Sequence, residues 1–222
     1  QTQGPQAQSD LVRQRWLAIP SWNSKNDQAK RKSDQAQAGA NADDEGFHPP
    51  IARSPRMQPS SLKQIDIVQR HPARIAYLRH FGPYGASVGR FWGERFAPFM
   101  LAHQLGDRPR YGIGHDDPSI TAAEKCRYDA CVEVPEHFAP QAHSPVDRSV
   151  SLSSLPGGRY VSARFEGSSE TISEAWMWLC RSWLPQQGLI PGEGPSFEHY
   201  WPSARFDAAT GWFECDLCMP VA

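Results

Sequence analysis

Apolar and polar positions alternate in "LKQIDIVQR" (62–70) and "ARIAYLRHF" (73–81), which predicts two strands with a turn at His71-Pro72. Gly82-Pro83 ends the second. From about Gly85 the period changes. Val88, Phe91, Trp92, Phe96, Phe99 and Met100 recur at helical spacing, and Pro98 should kink that helix or end its regular part. "RYGIGH" and "CRYDACVEV" predict two more strands. "SVSLSSL" and "GRYVSARFE" flank Pro156-Gly157-Gly158, a hairpin-like turn. A second helix follows, with Ser169 or Thr171 as N-cap and Ile172, Trp176, Leu179 and Trp183 along one stripe. Pro185 and Gly188 stop it. "SFEHYW" and "WFECDLCMPV" close the chain. The order is ββαββ, twice, which predicts an α+β fold.

That order suggests an internal duplication around a pseudo-twofold. With a shift of 84, "IGHDDPS" (113–119) falls on "FEHYWPS" (197–203). With a shift of 85, "RYDACVEVP" (127–135) falls on "WFECDLCMP" (212–220), Gly82 on Gly167 and Phe91 on Trp176. Matched positions that differ are candidates for function. Glu198 then falls on Gly114 and Ser196 on Gly112. Side chains on a strand alternate, so 112 and 114 share a face, as do 196, 198 and 200. Glycine in a strand often marks close approach of a ligand or another backbone.

A carboxylate among Phe197, Tyr200 and Trp201 either points at water or is held in a pocket at some cost. In a pocket lined by Trp and Tyr, Glu198 has a raised pKa or a cationic partner, and the rings attract cations as well. Such a pocket suits lipophilic cations, or a ligand hydroxyl or amide. A glutamate there could also act as a general acid or base. Phe197 and His199, on the strand's other face, are expected to pack against structure.

Composition adds a boundary. Residues 1–60 have only Trp16, Trp22 and Phe47 as aromatics and read as a largely disordered leader or linker, with one short helix before Pro20 and a basic cluster at Lys30-Arg31-Lys32. Residues 61–222 form the expected domain, with repeat halves of about 62–140 and 146–222. A net charge of -1 gives no general pull toward nucleic acid or membrane, and no apolar run is long enough to span one. Five cysteines, none in the leader, read as reduced thiols of a cytoplasmic protein. On a strand the thiols of Cys215-x-x-Cys218 face opposite sides, which opposes chelation. "HDDPS" (115–119) reads as a strand end and turn rather than a metal site. No nucleotide or hydrolase fingerprint is present, and no cofactor is expected.

"VQRHPARIAYLRHFGPYG", "YGIGHDDPSITAAEKCRYDACVEVP", "LPGGRYVSARFEGS" and "GPSFEHYWPS" resemble the GyrI-like effector-binding domains, found in the DNA gyrase inhibitory protein and at the C-terminus of AraC-type and other multidrug-sensing regulators. The resemblance covers about residues 62–221. It implies a curved antiparallel sheet carrying two helices, with a ligand pocket between the halves and a buried acidic residue that matches Glu198. The expected ligand-binding residues are Glu198, Trp176, Tyr111, Phe91, Tyr84, Tyr200, Gly112 and Gly114. The partner implied is a small molecule, lipophilic or cationic. DNA would be met only through a domain outside these residues, since 1–60 shows no helix-turn-helix, and a homodimer is an open option. Three functions fit: an effector sensor of a bacterial AraC-like regulator, a hydrolase of strained electrophiles that uses Glu198, or a gyrase-binding inhibitor.

Overall fold

The alternating stretches pair into one antiparallel sheet, and the helical stretches cover one of its faces. The computed structural model describes residues 57–140 and 147–222; the expected leader helix and the Lys30-Arg31-Lys32 cluster lie outside them. The strands are β1 (Leu62–Arg70), β2 (Ala73–Phe81), β3 (Arg110–Gly114), β4 (Arg127–Glu133), β5 (Ser151–Leu155), β6 (Gly158–Ser168), β7 (Phe197–Tyr200), β8 (Phe206–Asp207) and β9 (Trp212–Pro220). Helix α1 runs as Ala86–Phe91, a π-helical turn Trp92–Phe96, and Ala97–Ala102. Helix α2 runs as Ile172–Trp178, a π-helical turn Leu179–Trp183, and Leu184–Gln186.

Pro98 does not end α1, and Pro185 lies within α2. Each proline falls in the first turn of the α-segment that follows a π turn. The wider turn has already broken the i to i−4 ladder, so the missing N–H costs little there.

The sheet order is β1-β6-β9-β7-β3-β4-β2-β5, with β8 on β9. Neither hairpin-like turn closes a hairpin: β1 pairs with β6, and β5 pairs with β2. Alternation marks a strand and its faces but does not name the partner. The two connections cross in contact. A Cβ at Gly157 would lie 2.8 Å from the Arg70 carbonyl oxygen and 2.9 Å from Pro72, so a side chain there would force them apart. Each half of the sheet therefore has its outer strand supplied by the other half of the sequence.

The two halves share one ladder pattern. Moving β2 by 85 positions and β4 by 87 carries the pair Leu78–Ala130 onto Ala163–Leu217, and Arg79–Asp129 onto Arg164–Asp216. The same 85 carries the β1–β6 pair Ile67–Val161 into the β5–β2 pair Leu152–Ala76. Strands β3 and β7 correspond at 86: Gly112, paired with Ala130, becomes Glu198, paired with Leu217. The π turns correspond at 87. The shifts of 84 and 85 read from the sequence are thus correct for β2 but short by two for β3, β4 and α1. Loop insertions between elements change the offset, and a single shift cannot follow them.

Three buried clusters divide the protein. Beneath α1 are Leu78, Phe96, Phe99, Tyr128, Ala130 and Val132. Beneath α2 are Val161, Phe165, Leu179, Leu184, Leu217 and Met219. On the sheet's other face Ile75, Tyr111, Ile113, Leu155, Tyr160 and Phe197 pack together. Cys215 belongs to the α2 cluster and Cys218 to the opposite face, as strand alternation requires.

Two ion-pair clusters occupy that opposite face in matched positions. Asp129 is bound by Arg79 at 2.7 and 2.8 Å and by His115 at 2.6 Å. Asp216 is bound by Arg164 at 2.8 Å and approached by His199 at 3.5 Å. Burial works to raise the Asp129 carboxyl, but hydrogen bonds from Arg79 and His115 outweigh it and hold its pKa below the usual carboxylate range. Such a group contributes stability above its unfolded pKa, and the contribution is lost as pH falls through the depressed native value. Asp129→Asn is expected to cost about 2–3 kcal/mol near neutrality, given that Arg79 is partly solvated. Urea titrations across the acid range should show the wild-type advantage shrinking as pH falls; an equal difference at all pH values would refute the assignment.

Candidate ligand-binding cavity

Between α1, α2 and the seam of β3 and β7 lies a cavity of about 710 Å³. Its floor is the helix-covered face of the two central strands: Arg110, Gly112 and Gly114 on β3, and Ser196, Glu198 and Tyr200 on and before β7. Its walls include Tyr84, Gly89, Trp92, Gly93, Tyr128, Trp176 and Phe213. A space of this size, mostly apolar with a few convergent polar groups, has the character of a small-molecule site.

Glu198 is the central polar group. The Tyr128 hydroxyl donates to its Oε2 at 2.7 Å, and the Tyr200 hydroxyl donates to the same oxygen at 2.9 Å. Trp176 lies at the cavity wall and adds to the lowering of the carboxyl's pKa. Trp92 in turn donates its Nε1–H to the Tyr128 oxygen at 3.2 Å and stacks edge-on to Tyr200 with centroids 5.6 Å apart. Burial pushes the Glu198 carboxyl up, and the tyrosine and tryptophan donors pull it partly back. Burial and the neighbouring carboxylate push Tyr128 and Tyr200 well above the usual phenol range, so they are donors at any ordinary pH.

Gly112 makes this arrangement possible. It pairs directly across the seam with Glu198, and a Cβ on it would overlap both the Tyr128 hydroxyl and Glu198 Oε2. The glycine expected to face a ligand is instead covered by the protein's own hydrogen bond. At Gly114 the nearest atom to a Cβ would be the Tyr84 hydroxyl at 3.5 Å, an ordinary contact.

The ladder offsets sharpen the asymmetry between halves. Glu198 corresponds to Gly112, and Trp176, at the helix offset of 87, corresponds to Gly89. One half supplies the carboxylate and the indole; the other is cut back to hydrogen at both places. A Cβ at Gly89 would meet nothing within 4 Å.

Six of the eight expected residues line the cavity: Glu198, Trp176, Tyr84, Tyr200, Gly112 and Gly114. Tyr111 and Phe91 do not. Tyr111 lies on the opposite sheet face, donates to Glu133 Oε2 at 2.9 Å and stacks on His199. It alternates with Gly112, so the two cannot share a face. Phe91 packs on His80 with centroids 5.3 Å apart. The two-residue error in offset turns a helical side chain by about 200°, away from the cavity. Tyr84 lies on the wall, but its hydroxyl bonds the Arg127 carbonyl at 2.8 Å and thereby braces the loop at Asp116. Sequence reasoning missed Tyr128, Trp92 and Arg110. Tyr128 was within reach, since it shares a face with Ala130 and Val132 beside the glycines of β3. Among the described residues no cluster of His, Cys, Asp and Glu could hold a metal ion, and no helix is long and apolar enough to cross a membrane.

A nine-stranded sheet carrying two helices around a carboxylate-floored apolar cavity defines a ligand-binding α+β domain. The model of the GyrI-like small molecule binding domain family matches residues 63–222, and the chain belongs to that family. A DNA gyrase inhibitor of Erwinia billingiae (strain Eb661) is 25% identical over 158 residues, 71% of this chain and 97% of that protein. "Probable transcriptional regulator YgiV" of Escherichia coli (strain K12) is 33% identical over 112 residues, 50% of this chain and 66% of that protein. Among solved structures, the EcmrR C-terminal domain matches with TM-score 0.52 at 11% identity, covering 72% of this chain and 97% of that one, which shows the fold alone.

The Gly112 arrangement is directly testable. Gly112→Ala is expected to separate Tyr128 from Glu198 and lower stability by about 2–4 kcal/mol, whereas Gly114→Ala should change it by less than about 1 kcal/mol. Equal melting temperatures for the two variants would contradict the geometry.

Proposed function

We propose that this chain is the ligand-sensing part of a bacterial AraC-like transcription regulator, that it works in the cytoplasm, and that its cavity takes lipophilic aromatic cations. The observation that carries this reading is Glu198, a carboxylate on the floor of a cavity walled by Trp92, Trp176, Tyr128 and Phe213. A desolvated carboxylate attracts a cation far more strongly than one in water, and the ring faces add cation–π attraction. Apolar area then selects for lipophilic cations over metal ions or ammonium. Relatives named as regulators support the sensing role, and so does the EcmrR–DNA complex, which matches with TM-score 0.55 at 11% identity over 97% of this chain and 68% of that one. The described cysteines are all free, in keeping with a reducing compartment.

Titration with crystal violet tests the reading. Glu198→Gln keeps the shape of the side chain and removes its charge, so affinity should fall by about tenfold or more. Because the Glu198 pKa is raised, wild-type affinity should strengthen as pH rises through it and the carboxylate forms, and the glutamine variant should show no such rise. Equal affinities at all pH values would overturn the carboxylate's role. Filling the cavity is a second test. Gly89→Trp is expected to abolish dye binding while the melting temperature stays within a few degrees, since the added ring enters open space. Undiminished binding would move the site elsewhere.

A second reading, direct inhibition of gyrase, is carried by the gyrase-inhibitor relative that aligns over 97% of its own length. Loss of supercoiling by purified gyrase on addition of the chain would support it; full activity at a large excess would exclude it.

A further inference from the structure

We infer that the cavity holds a second polar subsite, at Arg110, which takes an anionic or strongly accepting group, so that the preferred ligand is an aromatic zwitterion rather than a simple cation. The inference rests on the cavity being the ligand site proposed above.

Arg110 projects from the same face of β3 as Gly112 and lines the cavity beside Tyr200, its cross-strand partner. A guanidinium has five N–H donors. Here one nitrogen donates to the Trp201 carbonyl oxygen at 3.1 Å, and the buried Nε has no acceptor. Among the described residues no carboxylate lies within ion-pair reach of it. Glu198 is its diagonal neighbour across the seam, a separation of about 7–8 Å between backbones, yet the carboxylate is engaged by Tyr128 and Tyr200 instead. Arg79, Arg127, Arg164 and Arg205 each have their own carboxylate: Asp129, Asp116, Asp216 and Glu214. Arg110 thus lines the cavity with one guanidinium nitrogen on a backbone oxygen and no carboxylate partner among the described residues.

Ser196 lies two positions before Glu198 at the far end of the floor, so that Glu198 sits between it and Arg110. Buried polar groups are ordinarily satisfied, and leaving a charged donor unmatched is costly. A carboxylate, sulfonate or polarised carbonyl on the ligand would accept from the guanidinium fork, which matches planar oxyanions in two-point geometry.

Rhodamine B and its ethyl ester form a matched pair of probes: both carry the same aromatic cation, and only the acid carries a free carboxylate. Fluorescence titration of the whole chain should give a Kd for the acid about tenfold or more below that of the ester. Arg110→Met should bring the ratio of the two constants to about one, and Arg110→Lys should keep part of the preference. The ratio is taken within each protein, so a variant with a smaller folded fraction does not mimic the effect, and Arg110→Lys, with a reduced ratio, carries the test if Arg110→Met fails to fold. An ester bound as tightly as the acid by the wild type, or a preference that survives Arg110→Met, overturns the subsite while leaving the cation site standing. Failure of both dyes to bind overturns the subsite and the cation reading together.

Discussion

The hydrogen bonds that meet on Glu198 Oε2 hold the cavity's shape. Tyr128 comes from β4 and Tyr200 from β7, and the carboxylate they share lies across the seam between the two halves of the sheet. A carboxylate desolvated at that depth costs several kcal/mol unless donors compensate it. Two tyrosine hydroxyls do so here, and Trp92 satisfies the Tyr128 oxygen in turn. The arrangement leaves room for one backbone type only beneath it. Gly112 is glycine because its Cβ position is already taken by the atoms that make the bond.

That constraint explains how a nearly symmetric sheet acquires an asymmetric cavity. The strand ladders of the two halves superpose by fixed offsets, and each half supplies the other's outer strand. Symmetry of this kind would place like against like at the seam. Two carboxylates facing each other would repel, and two tryptophans at the α1 and α2 positions would fill the space. Substituting glycine on one side at both places, Gly112 against Glu198 and Gly89 against Trp176, removes each conflict and opens the volume. The π turns contribute by letting prolines sit inside both helices without ending them.

The strands, the helices and the special standing of Glu198 were legible in the sequence because each has a local signature: alternation, helical period, and a carboxylate set between rings. Strand partnership had none. Residues 62–81 read as two strands and a turn whether β2 pairs with β1 or, as it does, with β4 and β5. A repeated element order was visible, but the offset between matched elements drifts from 85 to 87, and a single shift set Phe91 against Trp176 where the helix offset places Gly89. Tyr111 failed for a simpler reason: its neighbour Gly112 already claimed the cavity face, and alternation sends 111 to the other side.

The separation of Arg110 from Glu198 follows from the same local competition. Two opposite charges on diagonal positions of one sheet face would ordinarily find each other through their side chains. The Tyr128 and Tyr200 hydroxyls hold the carboxylate, and the arginine bonds the Trp201 carbonyl oxygen instead. Tyrosine donors satisfy the carboxylate without cancelling its charge when it is ionised. An ion pair formed within the protein would cancel both charges and leave an apolar cavity that discriminates only by size. By holding each group with neutral partners, Tyr128 and Tyr200 on one side and the Trp201 carbonyl on the other, the fold keeps the two charges apart at the cost of their mutual attraction.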